Sequence, residues 1–423
     1  METADLLPPV RWSLADYAGH GGYEQLRQAY ADADWLRRVL GSTDLTGLGG
    51  AHFPFARKLL MCQQEPGPRV VVCNAAEDEP GSMKDRYILQ RNPHVLLEGV
   101  LIAAAALETQ EAYLYVSESS TDALESLDQA LAELTDDQKG GVDLRVVRAP
   151  DDYVAGEATS AIEFIEGRAA RPRRVPPYPT TEGVGGRPTL VSNCETLANL
   201  PRVLARSGLD SGPWIMTRLA TVTGDVRRPD VYEIDPPTTT FEDLITMAGG
   251  LSTASQQLKA IQPGGPSTAY LDSTALTLTV TDDAIRAAGS QPGCLAVRVL
   301  SSERCIVEEL ARITEFFARE QCGQCPACRM KTQNYHKIVS KVSTGGGTWH
   351  LLDQFAAVDE FVSDLPAVCA LIGMPTPPVR SAVALFRDDF ERHISGTCST
   401  ASSDVSESSP PTHPHDPRWE TAQ

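Results

Sequence analysis

Basic residues are the scarce class in this sequence. Lys and Arg number 37 against 56 Asp and Glu over 423 residues, a formal charge of −19. A surface of that sign gains nothing from polyanions, so nucleic acid and anionic membrane are excluded as expected partners. Long hydrophobic runs are missing as well. The longest, residues 100–107, is far short of the ~20 residues a membrane-crossing helix needs, so no direct membrane insertion is expected. The opening METADLLPPVRW has no basic stretch followed by an apolar core, and we expect no signal peptide. Without one, ten cysteines are expected as reduced thiols and ligands in a cytoplasmic protein, not as disulfides. What is present is ordinary globular material, long enough for two or three packed domains.

The informative stretch is Cys322-Gly323-Gln324-Cys325-Pro326-Ala327-Cys328, with Cys369 further on. Two-residue gaps let one tight loop aim three sulfurs at a common centre, and a distant fourth closes the shell. Soft thiolates in a set of four select zinc or an iron–sulfur cluster. Structural zinc sites usually bring two separated pairs, so three-plus-one spacing favours a [4Fe–4S] cluster while leaving zinc open.

The rest of the chain frames that loop. Residues 23–40 have helical periodicity and precede a glycine-rich turn, Gly47 to Pro54, with Lys58 downstream; such a turn lets backbone approach a phosphate or ring. Strands are predicted over residues 70–73, 112–116 and 144–147, alternating with helices over 94–107 and 122–134, and another helix from about Gly156. That alternation predicts an α/β, Rossmann-like domain with a mostly parallel sheet and ligands at the strand C-termini. Asn74 and Glu79 flank an acidic loop at such an end, and Asp78 between them reads as a solvated turn residue. Residues 171–179 are too proline-rich for helix or central strand, and Tyr178 there offers a flat face. Strand-like segments over 215–223 and 231–234, then a helix capped by Thr239 with Glu242, predict a β-grasp-like α+β domain. Residues 303–393 are helical, so a bundle carries the cysteine loop. The expected domains are 1–208, 209–300 and 301–395, followed by a disordered tail, 396–423.

Several ordered motifs are similar to one family. The glycine loop, the segment from Asn74 to Arg86 containing Glu79-Pro80-Gly81 and Lys84-Asp85-Arg86, Tyr153-Val154-Ala155-Gly156-Glu157, Asn193-Cys194-Glu195-Thr196, and the four cysteines with Arg329 resemble the NADH-binding flavoprotein subunit of bacterial respiratory complex I. They equally resemble its relatives in soluble hydrogenases and formate dehydrogenases. The match runs from about Gly47 to Ile394.

The resemblance implies flavin mononucleotide (FMN), a dinucleotide stacked on it, and one [4Fe–4S] cluster held by Cys322, Cys325, Cys328 and Cys369. It implies a diaphorase-type NAD(P)H dehydrogenase subunit passing electrons to a partner. Glu79 would sit beside the nicotinamide, and Phe53 and Tyr178 would stack on the adenine. Gly47, Gly49, Gly50, Lys58, Asn74, Glu77, Tyr153, Gly156, Glu157 and Asn193 would line the flavin and its nucleotide. The family's second glutamate after Glu157 is here Ala158, which removes a charge that repels the extra phosphate of NADPH. Leu48 replaces an arginine, His52 and Ala56 replace glycines, and Ala76 an aspartate. His52 is expected to face solvent. With these replacements, a second reading is a non-catalytic iron–sulfur relay or scaffold. The chain carries no [2Fe–2S] module, so a separate small iron–sulfur protein, thioredoxin-like or a ferredoxin, is the expected partner, with a larger oxidoreductase complex around it.

Overall fold

The structure is a computed structural model that describes residues 6–207, 216–253 and 255–398. The described residues form two compact units, one within 6–78 and 83–219 and one within 79–82 and 220–398.

The first unit is built on a four-stranded, wholly parallel sheet. Its strands are β1 (Val70–Ala75), β2 (Glu111–Ser117), β3 (Asp143–Ala149) and β4 (Thr189–Asn193), in the order β3-β2-β1-β4. Strand β1 is buried at Val70, Val71, Val72 and Cys73, the near-continuous apolar run that a parallel strand covered on both faces requires. One face packs Val70, Val72, Tyr115 and Val191 against Ala161 and Ile162 of helix Ala158–Ile165. The other meets helix Pro93–Leu107, in which every residue but Ala105 is buried. A helix apolar on all sides is stable only inside a core. Its one carboxylate, Glu98, accepts from the Tyr17 hydroxyl (2.5 Å) and the Tyr23 and Leu26 amides (2.9 and 3.1 Å), which seats the N-terminal helices on it. The single helix expected over residues 23–40 is two, Glu24–Ala31 and Ala33–Gly41, because Asp32 leaves the helical conformation to cap the second.

The second unit carries a mixed sheet, β6-β5-β8-β7, of β5 (Arg218–Gly224), β6 (Asp230–Ile234), β7 (Leu258–Gln262) and β8 (Ala296–Ser301). β5 and β8 are parallel; β7 and β8 are antiparallel. Helices Ile306–Glu320, Pro326–Ser343, Trp349–Val362, Thr376–Leu385 and Arg387–Ile394 follow. Buried ion pairs join sheet to helices: Lys259 to Asp389 at 2.6 Å and Arg298 to Glu309 at 3.0 Å. The expected cap at Thr239 lies one residue on, at Thr240 with Asp243. Burial of Phe241 and Leu244 sets that register. The disordered tail expected from residue 396 lies outside the described residues from 399 onward. Its first residues are instead ordered against the last helix, where the Thr397 amide donates to the Arg392 carbonyl at 2.8 Å.

Gly99 is where helix Pro93–Leu107 meets helix Cys194–Ala198 without a side chain between. A Cβ there would lie 1.9 Å from the Leu197 carbonyl oxygen. Backbone cannot yield as a side-chain tip does, so Gly99→Ala is expected to destabilise the first unit by about 1–3 kcal/mol. Urea denaturation followed by circular dichroism checks this, and an unchanged midpoint would refute it.

Candidate functional site

In the order β3-β2-β1-β4, the chain leaves β1 towards β2 on one side and returns with β4 on the other. The crevice at the C-terminal ends of β1 and β4 is therefore the topological switch point, where open parallel sheets bind ligands. Asn74 and Asn193 are register partners at that edge.

Four segments converge there. The Asn74 side-chain amide donates to the Gly156 carbonyl at 2.8 Å, tying the loop after β1 to the single turn Tyr153–Gly156 after β3. A Cβ on Gly156 would sit 3.2 Å from the Ala76 carbonyl, and one on Gly49 would sit 3.1 Å from Asn193 Cβ. The glycine loop is closed by Gly47 N donating to Phe53 O at 2.9 Å. It is anchored by Leu48 N donating to Thr196 Oγ1 at 2.8 Å. The Lys58 ammonium donates to the Val191 carbonyl of β4 at 3.0 Å, and burial holds its pKa below the ordinary lysine range. Glu157 caps helix Ala158–Ile165, its carboxylate accepting from Thr159 N (2.8 Å) and Ser160 N (3.1 Å). Glu77 is buried and caps helix Lys84–Arg91 from a distance, accepting from Asp85 N (3.2 Å) and Arg86 N (3.0 Å). Backbone cradles without side chains, amides at strand ends and a cationic floor suit a flat, phosphorylated cofactor such as FMN.

Beneath these loops lies a charge cluster that spacing alone does not reveal. Lys84, 1% exposed, contacts Asp85 at 2.7 Å, Glu195 at 3.1 Å and Asn193 Oδ1 at 3.2 Å. Asn193 Nδ2 donates in turn to Asp85 at 2.6 Å. Burial raises the Asp85 carboxyl to about 7 even with the Lys84 ammonium beside it. The motif letters Lys84-Asp85 and Asn193-Cys194-Glu195 were the available signal, since only a fold brings them together.

The remaining candidates are placed as follows. Phe53 is half-buried, with the Arg57 guanidinium 5.6 Å from its ring centre. Tyr178 is 51% exposed on the proline-rich segment. Tyr153 is half-buried in its turn. Glu79 falls in the second unit, where Gly265, at φ +92°, leaves room for its carboxylate: a Cβ there would come within 2.3 Å of Oε1. Asp78 is not a solvated turn residue. It is 2% exposed and accepts from the Ser117 hydroxyl at 3.2 Å, because the loop folds back over the end of β2. His52, expected at solvent, is half-buried at φ +50°.

The cysteine loop joins helices Ile306–Glu320 and Pro326–Ser343, and Cys369 opens the turn Ala370–Gly373. Burial pushes the Cys328 thiol up to about 12, with the neighbouring Cys369, Cys325 and Cys322 adding to the shift. Cys325 Sγ accepts from the Val368 amide at 3.2 Å, and Cys322 Sγ from the Gln324 side chain at 3.5 Å. Three thiols from one loop, a fourth whose preceding residue donates to Cys325, and amide donors for the sulfurs fit an iron–sulfur cluster.

Comparison with known proteins agrees with this geometry. Residues 41–202 match the Nuo51 FMN-binding domain, 219–270 the SLBB domain, and 308–393 the NADH-ubiquinone oxidoreductase-F iron-sulfur binding region. The chain is 32% identical to an F-type subunit of NADH-quinone oxidoreductase in Rhizobium meliloti, covering 90% of this chain and 94% of that one. It is 33% identical to the corresponding subunit in Mycobacterium tuberculosis, with 92% of each covered. A crystal structure of an NAD+-reducing [NiFe]-hydrogenase in the air-oxidized state superposes with a TM-score of 0.79 at 29% identity, covering 93% of this chain and 68% of the other. No helix among the described residues is long and apolar enough to cross a membrane. With loops, cysteines and sequence in agreement along nearly the whole chain, the protein belongs to the family of NADH-quinone oxidoreductase F-type subunits.

Proposed function

We propose that this chain is the entry subunit of an electron-transfer oxidoreductase. FMN would lie in the β1/β4 crevice, NADH would deliver hydride to it, and a [4Fe–4S] cluster on Cys322, Cys325, Cys328 and Cys369 would carry electrons onward. The observation that carries this reading is the meeting of the glycine loop and the loops after β1, β3 and β4 between Asn74 and Asn193. The flavin supplies the exchange between two-electron and one-electron chemistry. The protein's own part is positional. Gly47, Gly49, Gly50 and Gly156 keep side chains out of the crevice, while Asn74, Asn193 and Lys58 set its polar floor. Glu77 and Glu157 fix two of the loop helices by capping them, with Tyr153 in the turn between. Glu79, Phe53 and Tyr178 are assigned to the dinucleotide. The non-catalytic relay is disfavoured because the glycine loop, Lys58 and the acidic loop are all kept in a fully formed cradle.

By the same reading the chain works as a diaphorase-type module in the cytoplasm, within a larger assembly, and hands electrons to a small [2Fe–2S] or ferredoxin-like protein. Its relatives are named as subunits of NADH-quinone oxidoreductase or as NAD+-reducing hydrogenase. We further assign residues 209–300 to a β-grasp-like domain and residues 301–395 to a cluster-bearing bundle.

Two outcomes are expected. Cys369→Ala should lose most of its iron and sulfide, and part of the bundle's stability, because ligation is coupled to folding; a full iron complement would refute the ligand set. Ala158 opens helix Ala158–Ile165 next to Glu157, whose carboxylate is occupied in capping. With alanine at position 158 in place of a carboxylate, NADPH should reduce the flavin at a rate within about tenfold of NADH, the equivalent of ~1.4 kcal/mol. Ala158→Glu should restore NADH preference. Stopped-flow flavin reduction decides, and strong NADH selectivity in wild type, unaltered by Ala158→Glu, would contradict it.

A further inference from the structure

Cys305 and Cys398 lie outside the cluster set, 93 positions apart in the chain by their numbers, and nothing in their spacing pairs them. The fold brings them together. Cys305 is the residue before helix Ile306–Glu320, and Cys398 follows helix Arg387–Ile394, its amide donating to the Arg392 carbonyl at 3.2 Å. His393 stands between them. The two sulfurs and a His393 ring nitrogen all lie within 4.8 Å of one another.

The histidine is prepared as a ligand. It is fully buried, and its Nδ1 lies 3.0 Å from the Ser343 carbonyl oxygen. A carbonyl only accepts, so the proton sits on Nδ1. Nε2 then presents its lone pair to Cys305 Sγ, 3.0 Å away. A backbone carbonyl fixing the far nitrogen is the arrangement that orients metal-bound imidazoles. Cys305 is 7% exposed and Cys398 half-buried, so of the two soft donors and one imidazole the Cys398 thiol is the one that water reaches.

We propose that Cys305, His393 and Cys398 form a second metal site that binds one zinc ion, with water as the fourth ligand. The donor set is that of tetrahedral zinc, with Zn–S at ~2.3 Å and Zn–N at ~2.0–2.1 Å, so the Cys305–His393 contact at 3.0 Å would open by roughly half an ångström on binding, a shift within reach of side-chain rotation. Iron–sulfur chemistry does not suit it, because three ligands crowded this closely surround a single ion and not a cubane. Binding exchanges two thiol protons for the metal and breaks no other bond. The ion fastens the start of the first bundle helix to the end of the last. Through Ser343 it also fastens the C-terminus of helix Pro326–Ser343, the helix that begins inside the cysteine loop.

The test uses the full chain, purified anaerobically with its cluster and dialysed against micromolar zinc. Metal analysis is expected to give about one zinc per chain beside the cluster iron. Zinc K-edge absorption should show two sulfur and two lighter neighbours. Because Cys305 and His393 are core residues, the variant read is Cys398→Ala, at the half-buried end of the trio. Loss of an outer partner alone weakens metal sites 10–100-fold, so loss of a thiolate should lower bound zinc at least about tenfold with iron and sulfide unchanged. Three results would overturn the proposal: no zinc retained by wild type, a four-sulfur zinc shell marking occupation of the cluster cysteines, or a Cys305–Cys398 disulfide by mass spectrometry.

Discussion

One buried ammonium organises the first unit. Lys84 is shut away from water yet surrounded by Asp85, Glu195 and the Asn193 side chain. A carboxylate buried without a cation costs several kcal/mol, so the helix that follows the acidic loop and the helix that follows β4 cannot separate without exposing an unpaired charge. The consequence runs outward to the crevice. Asn193, held by Lys84 and Asp85, is the residue against which Gly49 rests and which pairs in register with Asn74. Parallel strands place all their C-terminal ends on one edge, and the Lys84 cluster fixes the loops that leave it.

The second unit solves a different problem. Three thiols from one loop are cheap to gather, but the fourth arrives after helices Pro326–Ser343 and Trp349–Val362 have packed. Tyr335 and Phe355 do this with ring centres 4.7 Å apart. Lys331 and Arg380 meet on Asp359 at 2.7 and 2.9 Å, which ties the helix after the cysteine loop to the helix after Cys369. Cluster geometry is thus a product of helix packing, and the first and last of the helices are pinned to the sheet by Arg298 with Glu309 and Lys259 with Asp389.

Much of this is legible in the amino-acid sequence. Apolar runs with period breaks mark the parallel strands, and the three-plus-one cysteine spacing marks the cluster, because both are local patterns. What escapes is set by distance along the chain. Asp78 reads as a turn carboxylate until Ser117, 39 positions later, supplies a donor. Lys84 and Glu195 stand in two separate motifs, and only the fold buries them face to face. Cys305 and Cys398 look unrelated for the same reason, as does Asp32, whose capping role splits an apparently continuous helix. The division of labour between Glu77, Glu79 and Asp78 within three consecutive positions also needs the fold, since successive side chains leave the backbone in different directions.

Electrons entering this chain from NADH are expected to reach its own cluster by way of the flavin. The most direct measurement is an anaerobic NADH titration of the full chain, followed by optical absorption and low-temperature electron paramagnetic resonance on the same samples. The account predicts bleaching of the flavin bands together with a reduced [4Fe–4S] signal, and Cys369→Ala should keep the bleaching but lose the signal. A cluster that chemical reductants reduce but that stays silent when NADH has bleached the flavin, or a flavin that NADH never bleaches, would contradict it.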